Sequence, residues 1–189
     1  MIEREVKLTF PTTDAARAAV RAAGAAASRA RRLQDDSLFD TAEQRLRQQG
    51  CIVRVRIEHW SGGQDTTTLT FKGPVLPSRM KTREEHETRV ENRDALMRVL
   101  DAAGLRPWFR YQKYREEFAA PDLVIAIDET PVGTFVELEG NEDAILKATD
   151  ALGRSPADFI RDSYYRLFLS RREQFGLVGE HMIFPTGAA

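Results

Sequence analysis

Short segments in which apolar and polar residues alternate recur along the whole chain and predict eight β-strands. The segments are rich in residues of high β-propensity and are flanked by turn-forming residues. The predicted strands span residues 2–10, 33–40, 51–59, 66–73, 80–90, 108–118, 123–129 and 133–139. The pattern therefore predicts a protein built mainly from strands, with helices between some of them.

The remaining periodic segments predict four helices, each with recognisable end signals. They span residues 13–24, 93–103, 142–152 and 156–173. Gly24, Gly104 and Gly153 stand where glycine commonly ends a helix. Ser155 and Pro156 form a start signal for the last helix, since serine caps the first turn and proline suits its first position.

Length and charge limit the organisation of the protein and its partners. A chain of 189 residues fits one sizeable domain. We place this domain at residues 1–174, because the segment 175–189 shows no clear period and reads as a loosely attached tail. With 28 basic and 29 acidic residues, the chain gives no electrostatic reason to expect nucleic acid or a membrane as partner. The sequence carries no signal for an oligomeric state.

Cysteine content and the N-terminus bear on the compartment. Cys51 is the only cysteine, which excludes an internal disulfide and is typical of a reducing compartment. The first residues, MIEREVKL, are too charged to form the apolar core of a signal peptide. The alanine-rich run over 15–27 is interrupted by charges and is too short to cross a bilayer. We therefore expect a cytoplasmic protein.

The polar positions of the predicted strands are mostly charged, and like charges occur in pairs on one face. Side chains two residues apart lie on the same face of a strand. Such pairs are Glu3/Glu5, Arg54/Arg56, Glu85/Glu87, Lys113/Arg115 and Glu137/Glu139. Lys7, Lys72, Arg83 and Asp128 extend these faces. The opposite faces carry apolar residues on most of the strands; the strand at 80–90 is the exception.

Two interpretations of these charged faces compete. A half-exposed antiparallel sheet also alternates apolar and charged residues, with the charged side in water. However, neighbouring like charges repel and contribute nothing to a solvated surface. They become useful when opposed clusters converge on bound ions, because carboxylates suit hard divalent cations and basic side chains suit phosphate oxygens. The repetition of like-charge pairs on five strands favours convergence.

Several motifs, taken in order, resemble the CYTH family, which includes class IV adenylyl cyclases, thiamine triphosphatases and inorganic triphosphatases. The segment 3–7, EREVK, matches the E-x-E-x-K signature at the N-terminus of these proteins. The later matching segments are QDDSLFDT (34–41), the R-x-R strand (50–56), LTFKGP (69–74), REEHE (83–87), KYR (113–115), FVELEG (135–140) and DSYYRLF (162–168). The chain departs from the pattern at Leu38, where many relatives have tyrosine.

The resemblance implies an α+β fold in which eight antiparallel strands close into a barrel, or tunnel. The charged faces would point inward and helices would cover the apolar outside. A closed barrel has no free sheet edge and can enclose a ligand, so this architecture agrees with the converging charges.

The resemblance also implies the residues of the site. The residues expected to hold divalent metal, Mg²⁺ or Mn²⁺, are Glu3, Glu5, Glu137 and Glu139, with Glu85, Glu87 and Asp128 available for a second ion or for orienting ligands. The residues expected to bind the triphosphate are Lys7, Arg54, Arg56, Lys72, Arg83, Lys113 and Arg115. Of these, Lys7 and Arg56 are the expected catalytic residues.

The leading hypothesis for function is metal-dependent hydrolysis of a small triphosphate, either inorganic triphosphate or thiamine triphosphate. The alternative is a class IV adenylyl cyclase, in which the ribose hydroxyl of ATP replaces water and pyrophosphate leaves. A module that binds polyphosphate without turnover is a third possibility, but paired glutamates would serve no purpose in it. No nucleophilic Ser-His or Cys-His pair and no glycine-rich phosphate loop is apparent.

Overall fold

Eight antiparallel strands form the framework of the computed structural model, which describes residues 1–185. They are β1 (Ile2–Phe10), β2 (Ala26–Asp40), β3 (Ile52–His59), β4 (Thr66–Lys72), β5 (Lys81–Val90), β6 (Arg106–Ala120), β7 (Leu123–Thr130) and β8 (Gly133–Gly140). Each strand pairs with two neighbours in the circular order β1-β5-β4-β3-β2-β6-β7-β8, so the sheet closes. The predicted α+β fold with a closed antiparallel barrel is confirmed.

Five α-helices connect or follow the strands in the described part of the chain. They are α1 (Thr13–Ala22), α2 (Arg45–Gln48), α3 (Arg93–Ala102), α4 (Glu142–Ala151) and α5 (Tyr164–Arg171), with a 3-10 turn at Pro156–Asp158 before α5. In residues 1–185, no helix has both the length and the apolar composition needed to cross a membrane.

The helix predicted over 156–173 is interrupted by a contact with β1. The amide of Ile160 donates to the carbonyl of Lys7 at 2.9 Å, and the amide of Lys7 donates back at 3.1 Å. This edge of β1 is free at Lys7, because β5 pairs only with residues 2 to 5 of β1. The extended segment around Ile160 satisfies the free backbone groups. Sequence periodicity gives no sign of such a long-range bridge.

Strands β2 and β6 are both longer than predicted, and they pair with each other along almost their whole length. Their register runs from Ala26 opposite Ala119 to Asp40 opposite Arg106. The added part of β2 contains Arg29, Arg31 and Arg32. Because these arginines interrupt the alternation of apolar and polar residues, the pattern predicts no strand there. In the structure this part of β2 pairs with the backbone of β6, and Arg32 forms ion pairs with Glu117 and Glu58.

Helices cover the apolar outer faces of the barrel. Val6 and Val136, on the outer faces of β1 and β8, are fully buried in one cluster with Val20 of α1 and Ile145 of α4. On the other side, α3 packs against the outer faces of β2 and β3. Full burial of one such side chain contributes about 1.5–3 kcal/mol. The apolar core therefore lies outside the barrel, and the interior is left to the charged faces.

Helix α5 packs against the inner faces of the strands at one end of the barrel. Its Tyr164 and Phe168 are buried in a cluster with Leu38, Phe109 and Phe135. Leu38 and Phe109 are directly opposite each other on β2 and β6. This cluster gives one end of the interior an apolar lining, next to the charged region.

The segment predicted to be a loose tail packs against β6 as far as Phe184. Met182 is fully buried, and its amide donates to the carbonyl of Arg110 at 3.1 Å. The amide of Gln112 donates to the carbonyl of Met182 at 2.8 Å. Strand β7 pairs with β6 only from Tyr114 onward, so the segment fills an unpaired edge. The last part of the predicted tail, 186–189, lies outside the described residues.

The packing of this segment predicts that Met182→Ala destabilises the protein by about 2–5 kcal/mol, because the change leaves a cavity at a fully buried site. Val178→Ala is the matched control, since Val178 is 99% exposed on the same segment. Chemical denaturation measures both. Identical midpoints for the two variants would contradict the observed packing.

Candidate active site

A cavity of about 580 Å³ lies inside the barrel and is lined mainly by charged side chains. Its basic residues are Lys7, Arg54, Arg56, Lys72, Lys81, Arg83, Lys113 and Arg115. Its acidic residues are Glu3, Glu5, Glu85, Glu87, Glu137 and Glu139. The structure thus brings together every site residue expected from the sequence except Asp128, and it adds Lys81.

The two signs of charge are largely separated around the barrel. All six glutamates lie on β8, β1 and β5, which are adjacent strands. The facing strands β4, β3 and β6 supply five of the eight basic residues. The other three, Lys7, Lys81 and Arg83, lie among the glutamates on β1 and β5. An acidic wall with three interspersed cations therefore faces a basic wall across the cavity.

Glu5 and Glu137 are held by lysines at the centre of the acidic wall. The Lys7 ammonium lies 3.1 Å from Oε1 of Glu5 and 2.8 Å from Oε1 of Glu137. Lys81 also donates to Oε1 of Glu5. Burial alone would raise the pKa of Glu5, but Lys7 and Lys81 lower it below its ordinary value. Burial would lower the pKa of Lys7, but Glu137 and Glu5 raise it above its ordinary value.

Glu3 shares one lysine with Glu85. The Lys72 Nζ lies 2.7 Å from Oε1 of Glu3 and 2.9 Å from Oε2 of Glu85. Burial and the carboxylate of Glu5 raise the pKa of Glu3 to about 7, although Lys72 opposes the rise. This part of the wall therefore holds more negative charge than its lysine neutralises.

The carboxylate of Glu139 has no hydrogen-bond or ion-pair partner in residues 1–185, although it lines the cavity. It stands directly opposite Glu5 in the pairing of β1 with β8. Partial dehydration and the neighbouring Glu137 raise its pKa above the ordinary value. A carboxylate placed beside two others is a favourable ligand for a cation.

Asp36 supports the arginines of β3 from behind the cavity surface. Its side chain is fully buried and lies 2.8 Å from Nε of Arg56 and 3.5 Å from Nε of Arg54. Asp36 is directly opposite Arg56 in the pairing of β2 with β3. Hydrogen bonds to Asp36 fix the direction of Arg56. Arg54 is held instead through its Nη2, which donates to Thr70 and Glu87, while Asp36 offsets its charge.

Asp128 orients the basic side chains of β6 from behind the cavity surface. It does not line the cavity itself. Its fully buried carboxylate accepts from Nε of Arg115 at 2.7 Å, from Nζ of Lys113 at 2.9 Å and from the Tyr164 hydroxyl at 2.5 Å. Both oxygens are therefore occupied by protein donors. The structure places this residue, expected as a metal ligand, beneath two phosphate-binding candidates, where it supports their charge and orientation.

Arg83 is the basic residue whose hydrogen-bonding capacity is least used. Its side chain is buried against the cavity, yet Nε and Nη1 have no partner in the described part of the chain. Buried donors are almost always paired in native proteins. Two unpaired guanidinium nitrogens at a cavity wall are therefore the donors an oxyanion would find.

Three supporting residues were not assigned to the site from the sequence. Lys81 lies on the charged face of β5, so the alternation could have indicated it. Burial lowers its pKa to about 8, with Lys7 and Arg83 acting in the same direction and Glu5 opposing them. Asp36 and Tyr164 lie in two of the segments that resemble the CYTH pattern, 34–41 and 162–168, but their roles depend on contacts with distant segments.

The donor set suits a divalent cation, but no ligand cluster is assembled in advance. Within residues 1–185, no group of three or more His, Cys, Asp or Glu side chains is arranged to hold a metal ion. The reason is visible at Glu3, Glu5 and Glu137, where lysine ammonium groups lie against the carboxylates. Oxygen donors of this kind are those that Mg²⁺ and Mn²⁺ prefer. The residues fit such an ion once the lysines move aside.

The fold and cavity define a β-barrel protein with a charged interior cavity. The family model of the CYTH domain matches residues 1–164. The chain belongs to the CYTH family, and the resemblance found in its sequence is confirmed.

Three relatives illustrate the relationship. A Methanocaldococcus jannaschii protein, named provisionally as an adenylate cyclase, is 27% identical over 148 residues, which are 72% of this chain and 82% of that protein. A solved structure from Pyrococcus horikoshii OT3 has a TM-score of 0.73 and 26% identity, covering 90% of this chain and 99% of the other. A Hippeastrum protein, provisionally named an adenylyl cyclase and described as revealing a dominant triphosphatase activity, has a TM-score of 0.61 at 16% identity, covering 94% and 97%.

The position of Asp128 predicts that Asp128→Asn costs about 3–5 kcal/mol of stability, because it leaves buried Lys113 and Arg115 without their main counter-charge. Asp150→Asn, at an exposed position at the end of α4, serves as the control. Thermal and chemical unfolding of both variants test this. Similar losses would mean that Asp128 does not hold the two cations.

Proposed function

We propose that this protein hydrolyses a small triphosphate, inorganic triphosphate or thiamine triphosphate, in a reaction that depends on Mg²⁺ or Mn²⁺. The observation that supports this most is the pair of opposed walls in one cavity, acidic on β8, β1 and β5 and basic on β4, β3 and β6. A triphosphate with its divalent counter-ion presents anionic oxygens to one side and a cation to the other. Phosphoryl transfer needs mainly positioning and charge stabilisation from the protein.

The acidic wall would hold the metal. Glu3, Glu5, Glu137 and Glu139 are the first candidates, because they lie on the adjacent strands β1 and β8 around the unpartnered Glu139. Glu85 and Glu87 continue the wall on β5. A divalent cation there would neutralise phosphate oxygens and increase the acidity of water.

The basic wall would bind the phosphate chain. Asp36 orients Arg56 and offsets the charge of Arg54, and Asp128 orients Lys113 and Arg115, so these cations are in place before a ligand arrives. Arg83 adds two buried donors that have no protein partner. Arginine binds phosphate oxygens through paired N–H donors, and lysine binds them as a point charge.

Lys7 and Arg56 would stabilise the charge that develops during the reaction. The pKa of Lys7 is raised by Glu137 and Glu5 before a ligand enters, and the protonated amine would donate to a phosphate oxygen. Arg56 donates from Nε and Nη2 to Asp36, and its Nη1 would donate to a phosphate oxygen. Water adds to the terminal phosphorus and the bond to the bridging oxygen breaks, which gives orthophosphate and a diphosphate that keeps the bridging oxygen.

An adenylyl cyclase is the second candidate function. The observation in its favour is the provisional name of the Methanocaldococcus jannaschii relative, which shares 27% identity over 82% of its length. The same walls would hold the triphosphate of ATP in either reaction. The Hippeastrum protein is described as having a dominant triphosphatase activity, so hydrolysis is compatible with this fold. Its 16% identity to this chain is evidence for a shared fold alone.

Arg83→Gln is predicted to lower kcat/KM for triphosphate hydrolysis by about 100-fold or more, the loss expected for one strong electrostatic contact with the transition state. It should leave the melting temperature unchanged or raise it, because Nε and Nη1 of Arg83 have no partner to lose. Arg98→Gln, on the exposed surface of α3, is the control. Equal kinetic effects of the two substitutions would show that the cavity is not the active site.

A product assay separates the two reactions. Inorganic triphosphate, thiamine triphosphate and ATP are each incubated with the protein and Mg²⁺ or Mn²⁺. We expect orthophosphate as the first product, no reaction in the presence of a chelator, and recovery when metal is restored. If ATP gives mainly cyclic AMP and pyrophosphate while the other two substrates do not react, the protein is an adenylyl cyclase and the triphosphatase proposal is wrong. Full turnover without metal would refute both mechanisms.

A further inference from the structure

Tyr111 is an uncharged polar residue among the charged side chains that line the cavity. It lies two residues before Lys113 on β6, so both side chains point into the barrel. Its partner on the neighbouring strand β2 is Asp36, the carboxylate that holds Arg56. Tyr111 therefore stands in the basic wall, beside the arginines of β3.

Two other aromatic rings fix the position of the Tyr111 ring. It stacks on Phe109, with centroids 5.8 Å apart and planes 23° apart, and it packs against Tyr164 with centroids 5.7 Å apart. The Tyr164 ring is itself anchored, because its hydroxyl donates to Asp128 at 2.5 Å. Offset aromatic packing of this kind holds a ring in one orientation. The hydroxyl of Tyr111 is thus in place before a ligand enters.

The hydroxyl of Tyr111 lies close to both arginines of β3. Burial and the Asp36 carboxylate raise the pKa of Tyr111 above its ordinary value, although the charges of Arg54 and Arg56 oppose the rise. A hydrogen bond from Arg54 to the phenol oxygen acts in the same direction as these charges. The hydroxyl keeps its proton near neutral pH and is available as a hydrogen-bond donor.

The proton of this hydroxyl has no acceptor in the described part of the chain. The facing carboxylate of Asp36 is occupied, since its two oxygens accept from Nε and Nη2 of Arg56 at 2.8 and 3.3 Å. A polar hydrogen at a cavity wall that lacks a protein acceptor is left for water or a ligand. A phosphate oxygen bound at Arg54 or Arg56 is a charged acceptor, and hydrogen bonds to charged acceptors are strong.

We infer that Tyr111 is a further substrate-binding residue, whose hydroxyl donates a hydrogen bond to an oxygen of the phosphate chain at Arg54 and Arg56. The inference rests on the proposed function, which locates the phosphate chain at the basic wall. Like charges crowded on one wall repel each other. The hydroxyl adds a donor without adding a positive charge, so it strengthens phosphate binding without increasing that repulsion.

The test compares two tyrosines of the same strand. Tyr111→Phe removes the hydroxyl and keeps the packed ring. Tyr114→Phe is the matched control, because Tyr114 points out of the barrel and contacts Arg31 and Phe184. Binding of inorganic triphosphate is measured by calorimetry in metal-free buffer with a chelator. We expect Tyr111→Phe to raise the Kd by about 10-fold or more, the loss for one hydrogen bond to a charged group, and Tyr114→Phe to leave it unchanged.

A third variant, Tyr111→Leu, separates the hydroxyl from the ring. Most of the loss seen with Tyr111→Leu should already be present in Tyr111→Phe. A loss confined to Tyr111→Leu would show that only ring packing matters and would overturn the inference, as would equal losses in Tyr111→Phe and Tyr114→Phe. Without ligand, Tyr111→Phe should melt close to wild type, because the hydroxyl proton has no protein acceptor to lose. A large drop in melting temperature would mean that the hydroxyl supports the fold instead of a ligand.

Turnover with Mg²⁺ keeps this inference distinguishable from the proposed function. In Tyr111→Phe, kcat/KM for inorganic triphosphate should fall by a factor similar to the change in Kd, mainly through KM. If wild type binds triphosphate without hydrolysing it, the proposed function fails, and the affinities of the variants still decide the role of Tyr111. If wild type hydrolyses triphosphate and Tyr111→Phe matches it in both Kd and kcat/KM, the inference fails alone. Absence of triphosphate binding to wild type would refute both.

Discussion

The structure depends on how charges of both signs are offset inside a closed barrel. Burial of a charge without a partner is costly, and a buried pair is tolerated only with good geometry. Here each central carboxylate meets a lysine: Lys72 contacts Glu3, and Lys7 contacts Glu5 and Glu137. On the facing wall, Asp36 and Asp128 offset the arginines and Lys113. The interior is therefore near balance before any ligand enters.

This balance explains why the apolar core is outside the barrel. Strand alternation leaves most strands with one charged and one apolar face, and closure turns the charged faces inward. The apolar faces must then be covered by α1, α3 and α4. Helix α5 is the exception, because it packs on inner faces at one end and supplies Tyr164 to Asp128. That single helix links the apolar end of the interior to the basic wall.

The strands and the charged faces were predictable because both follow from side-chain alternation, a local property of the chain. Closure came from the family resemblance, since periodicity alone also allowed a half-exposed sheet. The bridge at Ile160, the docking of Met182 and the anchoring role of Asp128 were not predictable. Each depends on backbone or side-chain groups that meet only after distant segments have folded together.

The lysines on the acidic wall connect metal and phosphate binding. A cation that approaches Glu3 and Glu5 competes with the ammonium groups of Lys72, Lys7 and Lys81. The displaced ammonium groups can then interact with phosphate oxygens. Each ligand thereby removes the charge that would oppose the other, so the two should bind with positive cooperativity.

The most direct test of this account is thermal unfolding with triphosphate, with Mg²⁺, and with both. A ligand that binds only the folded state stabilises it by about 2.7 kcal/mol at a hundredfold excess over its Kd, or roughly 5–10 °C for a domain of this size. The account predicts a larger rise with both ligands than the sum of the separate rises, and little effect of simple phosphate. An unchanged melting temperature at millimolar triphosphate and Mg²⁺ would show that the charged walls do not form a binding site.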